Sequence, residues 1–250
     1  MRIKIINPNT TESMTKNIQS AGEKYASSNT EIIAVSPSTG PASIESYFDE
    51  YLAVPGVMEE ILKGDHTENV DAYVIACFGD PGLYAAREIT DKPVVGIAEA
   101  AITISKFIAP NFSIVSVLDR SRKMSEEVVK MHGAEGRCKS IRSTGLSVLE
   151  FDRDLKKGLN ALSNTSKKAV EEDGAESILL GCAGFVSFVE DLQKELGVPV
   201  LDGVSPAVKL AEILVNMRCQ TSKHLTWGFP EKKEIKGFNS ITKFFKEEIK

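Results

Sequence analysis

The sequence predicts an α/β fold of two pseudo-symmetric domains, each a mostly parallel sheet flanked by helices, with the functional site in the interdomain cleft. Three observations carry that expectation. Short apolar, β-branched runs alternate with longer helical stretches along the whole chain, the pattern of parallel strands covered on both faces. One strand–helix–strand segment occurs twice. Each copy carries a cysteine at the same strand end.

Taken in order, Ile3–Ile6 reads as a buried strand that ends in the polar turn Asn7-Pro8-Asn9-Thr10-Thr11. Helical periodicity follows over Glu12–Tyr25, then a strand over Glu31–Val35 and a loop, Ser36 to Glu45, rich in Ser, Pro and Gly. A helix is expected over Tyr51–Leu62 and strands over Ala72–Ala76 and Val94–Ile97. The second part repeats the pattern. Strands are expected at Phe112–Val117, Lys139–Arg142, Ser177–Leu180 and Val198–Leu201, with helices at Arg120–Met131 and Leu155–Glu172. The strongly apolar stretch Pro206–Met217 reads as a helix that crosses back onto the first domain. The boundaries that follow are 1–98 for the first half, completed by the helix near 206–220, then 99–205 for the second half and 221–250 for a tail.

The repeat is visible in the letters. Ala-Tyr-Val-Ile-Ala-Cys77-Phe-Gly leads through a helix to Lys-Pro93-Val-Val-Gly. Ser-Ile-Leu-Leu-Gly-Cys182-Ala-Gly leads through a helix to Val-Pro199-Val-Leu-Asp-Gly. Cys77 and Cys182 are 105 positions apart and the two prolines 106. Generic strand–turn–helix units resemble one another, but they do not place a cysteine twice at one strand end when the chain has only four cysteines. Duplicated halves put both strand ends on a single cleft, since such sheets bind ligands at the carboxyl ends of their strands.

The 250 residues carry a formal net charge of −5 with no basic stripe, which argues against nucleic acid as a partner. The N-terminal apolar run is too short for a signal peptide or membrane span, so a cytoplasmic protein is expected. Cys77, Cys138, Cys182 and Cys219 form no Cys-x-x-Cys motif, and His66, His132 and His224 lie far apart, so zinc is not expected. No phosphate loop and no flavin or nicotinamide motif is visible either.

A thiol that follows a buried strand and precedes a helix lies beside free backbone N–H groups, which lower its pKa from about 8.5. The competing reading is that free cysteines serve as small buried packing groups. The Asn-Pro-Asn-Thr turn either lines the same cleft or only caps the next helix through Asn9 or Thr10. Glu99 and Asp80 suit surface or capping roles better than tuning of the thiols.

In order along the chain stand Asn-Pro-Asn-Thr, Gly-Pro-Ala-Ser-Ile-Glu, Ala-Cys-Phe-Gly-Asp-Pro-Gly-Leu, Val-Val-Gly-Ile-Ala-Glu-Ala-Ala, Gly-Cys-Ala-Gly and Asp-Gly-Val. The ordered set resembles the hydantoin/allantoin racemase family of the aspartate/glutamate racemase superfamily, from about Ile3 to Lys223. The resemblance implies Cys77 and Cys182 as catalytic acid and base. It implies substrate contacts from Asn9, Thr10, Ser43, Ile44, Phe78, Gly79, Ala183 and Gly184. It further implies a cofactor-independent cytoplasmic homo-oligomer that acts on a cyclic ureide. The stretch Asp49 to Val57 is nearer to allantoin racemases, which would place the enzyme in purine catabolism. Phe185 stands where a Met is common, and the tail beyond Phe238 is extra.

Three alternatives have distinct signatures. Aspartate- or glutamate-type racemases carry Asn-Thr after the first cysteine and Thr-His after the second, where this chain has Phe78-Gly79 and Ala183-Gly184. A decarboxylase of the superfamily needs one cysteine only. A two-domain binding protein that closes on a ligand would need neither thiol to react.

Overall fold

The computed structural model describes residues 1–246. Its first sheet contains β1 (Arg2–Ile6), β2 (Glu31–Val35), β3 (Ala72–Ile75) and β4 (Val94–Gly96), in the order β2-β1-β3-β4 and all parallel. The second sheet contains β5 (Phe112–Ser116), β6 (Cys138–Ser143), β7 (Ile178–Leu180) and β8 (Val200–Leu201). Its order is β6-β5-β7-β8, again all parallel. Each strand of one sheet thus has a counterpart in the other, and the two-domain α/β architecture expected from the sequence is present.

Alternation within the strands assigns their faces. Ile3, Ile5, Ala72 and Val74 point to a core closed by α1 (Glu12–Tyr25) and α9 (Val204–Asn216). Ile6, Tyr73 and Ile75 point to the opposite core, under α2 (Tyr47–Lys63) and α3 (Leu83–Ile89). In the second sheet, Phe112, Ile114 and Leu179 meet α4 (Ile97–Ile108) and α5 (Arg122–Met131). Val115, Ile178 and Leu180 meet α6 (Val148–Arg153), α7 (Leu155–Glu171) and α8 (Val189–Leu196).

Two helices are exchanged between the halves. Helix α4 leaves β4 of the first sheet and buries Ala98, Ala101 and Ile102 against the second. Helix α9 leaves β8 of the second sheet and buries Val204, Ala207, Val208 and Ala211 against the first. The two helix starts touch, because a Cβ on Gly203 would lie 2.6 Å from the Ile97 carbonyl oxygen. Ile97 and Gly203 are counterparts in the repeat, so this contact sits on the pseudo-twofold axis.

The tail runs past α3, where Trp227 lies against Tyr84 and Arg87. It ends in α10 (Asn239–Lys246), whose Phe244 stacks on His66 beside the end of α2. Among the described residues, no helix is long and apolar enough to cross a membrane.

Candidate active site

The two cysteines occupy equivalent positions. Tyr73 donates its N–H to the Pro93 carbonyl and Ile178 donates to Pro199, both at 2.9 Å. One step short of each cysteine, Ala76 donates to Ile6 and Gly181 to Val115, both at 2.8 Å. Cys77 and Cys182 therefore leave their sheets at the same rung of the same ladder. The residue after each is buried in the other half: Phe78 in the core of the second sheet, Ala183 in that of the first.

Both thiols line one cavity of about 40 Å³, together with Asn9, Met14, Ile44, Ala76, Phe78, Val117, Val148, Gly181 and Ala183. Apart from the thiols, only Asn9 in that wall has a polar side chain. Its Oδ1 already accepts from the Thr11 N–H at 2.9 Å and from Asn7 Nδ2 at 3.0 Å. A smaller annex adjoins beyond Cys182, walled by Phe151, Leu155, Phe185 and Phe188 together with Asn17 and Asp152. The mouth is clasped across the halves: Glu45, at the end of the Ser36–Glu45 loop, accepts from the Val148 N–H at 2.8 Å. A larger groove of about 420 Å³ lies between α5 and β6, but mixed charges and a single thiol, Cys138, line it. It brings together no pair of groups from the two halves.

Burial decides the thiol electrostatics. Gly79 gives its N–H to Cys77, and Gly184 does the same for Cys182, which favours the thiolates. Desolvation outweighs both bonds and pushes Cys77 up to about 12 and Cys182 up to about 11. The sequence expectation of lowered pKa values is thus corrected, for two reasons. The turn after Cys182 is a 3₁₀ segment, Ala183–Phe188, and α3 starts only at Leu83, so neither thiol sits on an α-helix N-terminus. The walls of the cavity, moreover, are apolar. Cys77 is raised further by the charge of Cys182 and by Glu50 and Asp80, whereas Cys182 feels mainly Glu45. Burial also lifts Glu50, beside Gly79, to about 7.

Alkylation of the unliganded protein should report this directly. With iodoacetamide at pH 8, both cysteines should react at least about 100-fold more slowly than a free thiol, because so little thiolate is present. Peptide mass spectrometry should show rates still climbing at pH 10. A plateau below pH 9 at either residue would contradict the burial argument.

Of the residues singled out from the sequence, Asn9, Ile44, Cys77, Phe78, Cys182 and Ala183 meet in the cavity, and Gly184 lines the annex. Thr10, Ser43 and Gly79 lie outside the lining. Thr10 instead bonds the Pro41 carbonyl through its N–H at 3.0 Å, which fastens the covering loop. Sequence reasoning missed Met14, Val117 and Val148, and did not single out Ala76 and Gly181, which precede the two cysteines.

The sequence profile described as Asp/Glu/Hydantoin racemase matches residues 3–211. A hydantoin racemase from Pseudomonas sp. (strain NS671) is 56% identical over 237 residues, 95% of either chain. One from Paenarthrobacter aurescens is 49% identical, over 94% of this chain and 99% of that one. Among solved structures, the allantoin racemase from Klebsiella pneumoniae superposes with a TM-score of 0.94 at 42% identity, covering 96% of this chain and 98% of that one.

Proposed function

The chain belongs to the Asp/Glu/Hydantoin racemase family, and from that premise we propose that it interconverts the enantiomers of a 5-substituted hydantoin, a cyclic ureide, by proton transfer between Cys77 and Cys182. The observation that carries the reading is two thiols from equivalent strand ends of opposite halves on one small cavity. Racemisation needs a base on one face of the stereocentre and an acid on the other, with the roles reversed for the mirror image. One thiolate removes the proton beside the ring carbonyl, the charge spreads into an enolate, and the opposite thiol delivers a proton to the other face.

The raised thiol pKa values suit this step. A thiolate formed in the dry cleft is a stronger base than one in water, and the Gly79 and Gly184 N–H groups offset part of the cost of forming it. Because the charge of one sulfur raises the other, the two titrate as a pair, with one proton shared between them in the working form.

The ring substituent separates two readings. The mostly apolar cavity wall offers a ureido arm Asn9, already engaged through its oxygen, and four large apolar side chains wall the annex beside Asn17 and Asp152, so we place 5-alkyl and 5-aryl hydantoins first. The likeness to an allantoin racemase structure favours allantoin, the 5-ureido member and the substrate expected from the sequence. Polarimetry on enantiopure 5-benzylhydantoin and allantoin, with ring-proton exchange followed in deuterated water, tests the function and ranks the two. Full activity is expected after exhaustive chelation and without any added nucleotide, pyridoxal phosphate or flavin. Loss on chelation, restored by one metal, would show that the chemistry lies elsewhere.

A further inference from the structure

The repeat breaks its symmetry at one point beside Cys77. At the start of α4, the Ala98 and Glu99 N–H groups donate to the Asp80 carboxylate at 3.0 and 2.9 Å. Their counterparts at the start of α9, on Val204 and Ser205, are met by Asp202, with Ser205 N–H to Oδ1 at 2.8 Å. Asp202 stands at a strand end and answers to Gly96, while Asp80, in the cysteine loop, answers to Phe185. The two arrangements exclude each other, since a Cβ on Gly96 would lie 2.2 Å from the Asp80 carboxyl carbon. The second half shows that a helix start here can be satisfied without any group in the cysteine loop. A carboxylate in the first loop makes the same cap and is placed for a further use.

That use is visible in its third partner. His132, which ends α5 in the second half, brings Nε2 to 3.2 Å from Asp80 Oδ2, with both side chains buried. Asp80 holds a left-handed backbone, φ 47°, which side chains rarely adopt. Its N–H closes the turn onto the Cys77 carbonyl at 2.9 Å. This turn also presents the Gly79 N–H to the Cys77 sulfur. One carboxylate thus joins the first cysteine loop to α4 and to α5. Its counterpart Phe185 closes the same turn onto the Cys182 carbonyl at 3.1 Å, but its side chain packs among Phe151 and Phe188 and makes no such polar tie.

We propose that His132 is a positioning residue for proton transfer at Cys77, acting through Asp80 to fix the Cys77–Gly79 turn. The proposal rests on the two-thiol reading of function. Misplacing a reacting group by about 1 Å can cost on the order of 10²-fold in rate.

The test compares His132→Phe, which keeps bulk and loses the donor, with His132→Gln, whose amide reaches the Nε2 position. With 5-benzylhydantoin, or allantoin if the wild type prefers it, His132→Phe should lower kcat by about 10- to 100-fold with KM within about threefold. His132→Gln should recover to within about threefold of wild type. Alkylation of the unliganded variants gives a readout that needs no substrate. The Cys77 rate should change at least about fivefold in His132→Phe and return in His132→Gln, with Cys182 within about twofold throughout. A merely structural role would move both cysteines together, or neither. The proposal is overturned if Cys77 alkylation is unchanged in His132→Phe, or if folded His132→Gln performs no better than His132→Phe. A wild type that racemises no hydantoin would sink the two-thiol reading alone, and the alkylation ratio would still decide the role of His132.

Discussion

Cys77→Ser and Cys182→Ser are each expected to lower racemisation on the order of 10³-fold, because a hydroxyl is far harder to ionise than even these buried thiols. The two enantiomers are equal in free energy, so kcat/KM must stay equal in the two directions for every variant. The variants should therefore be separated by isotope exchange. With one thiol left, the remaining thiolate can still remove a proton from the enantiomer that faces it and return a deuteron from solvent to the same face. Each variant should thus exchange one enantiomer without inverting it, and the two variants should choose opposite enantiomers. Thermal melts should stay near wild type, since Cys→Ser removes little volume and the new hydroxyl can accept the same Gly79 or Gly184 N–H. Wild-type racemisation by either variant would end the two-thiol mechanism. Equal exchange of both enantiomers by both variants would do the same.

The pair was readable from letters alone because a duplicated strand end is a long-range signal that repeats locally. Seven of the eight strands were readable for a related reason: strands of a covered parallel sheet become apolar runs, and polar turns bound them. The edge strand β6 buries only Ile141 and lacks that signal. Helix α6 was not anticipated, although Ser147 and Glu150 form the reciprocal cap that its Ser-x-x-Glu spacing encodes. Its short length and the single buried pair Val148 and Phe151 leave little periodicity to detect. Met14 and Val148 are ordinary core-facing letters of their helices, and only the meeting of the two halves turns them into cavity wall. The direction of the thiol pKa shifts failed for the same reason. Backbone N–H groups can be counted from a turn, but desolvation depends on walls supplied by distant segments.

Gly203→Ala should destabilise the protein by about 2–3 kcal/mol, the usual cost of forcing volume into a packed contact. The added methyl would lie 2.6 Å from both Cβ and the carbonyl oxygen of Ile97. The oxygen belongs to the first turn of α4 and cannot rotate away. Relief requires the starts of α4 and α9 to separate, which also parts the strand ends that carry the thiols, so activity should fall as well. Urea titration should show a lower midpoint with an unchanged slope. Gly136→Ala, where a Cβ meets nothing within 4 Å, is the matched control and should be close to neutral. Equal midpoints for the two variants would mean that the axis contact is loose.

The exchange of α4 and α9 also bears on how the chain comes to be folded during synthesis. The face of the first sheet that α9 covers belongs to residues 3–96, yet its cover ends only at Asn216. When the first four strands leave the ribosome, Ile3, Ile5, Ala72 and Val74 have α1 beside them but lack the second helix that should shield them. More than a hundred further residues must emerge first, and contacts so distant in sequence form slowly. The nascent N-terminal half is therefore expected to hold an exposed apolar sheet through most of translation, a natural docking point for a chaperone. The finished protein should correspondingly unfold in one step, because neither half keeps a closed core once its borrowed helix has gone.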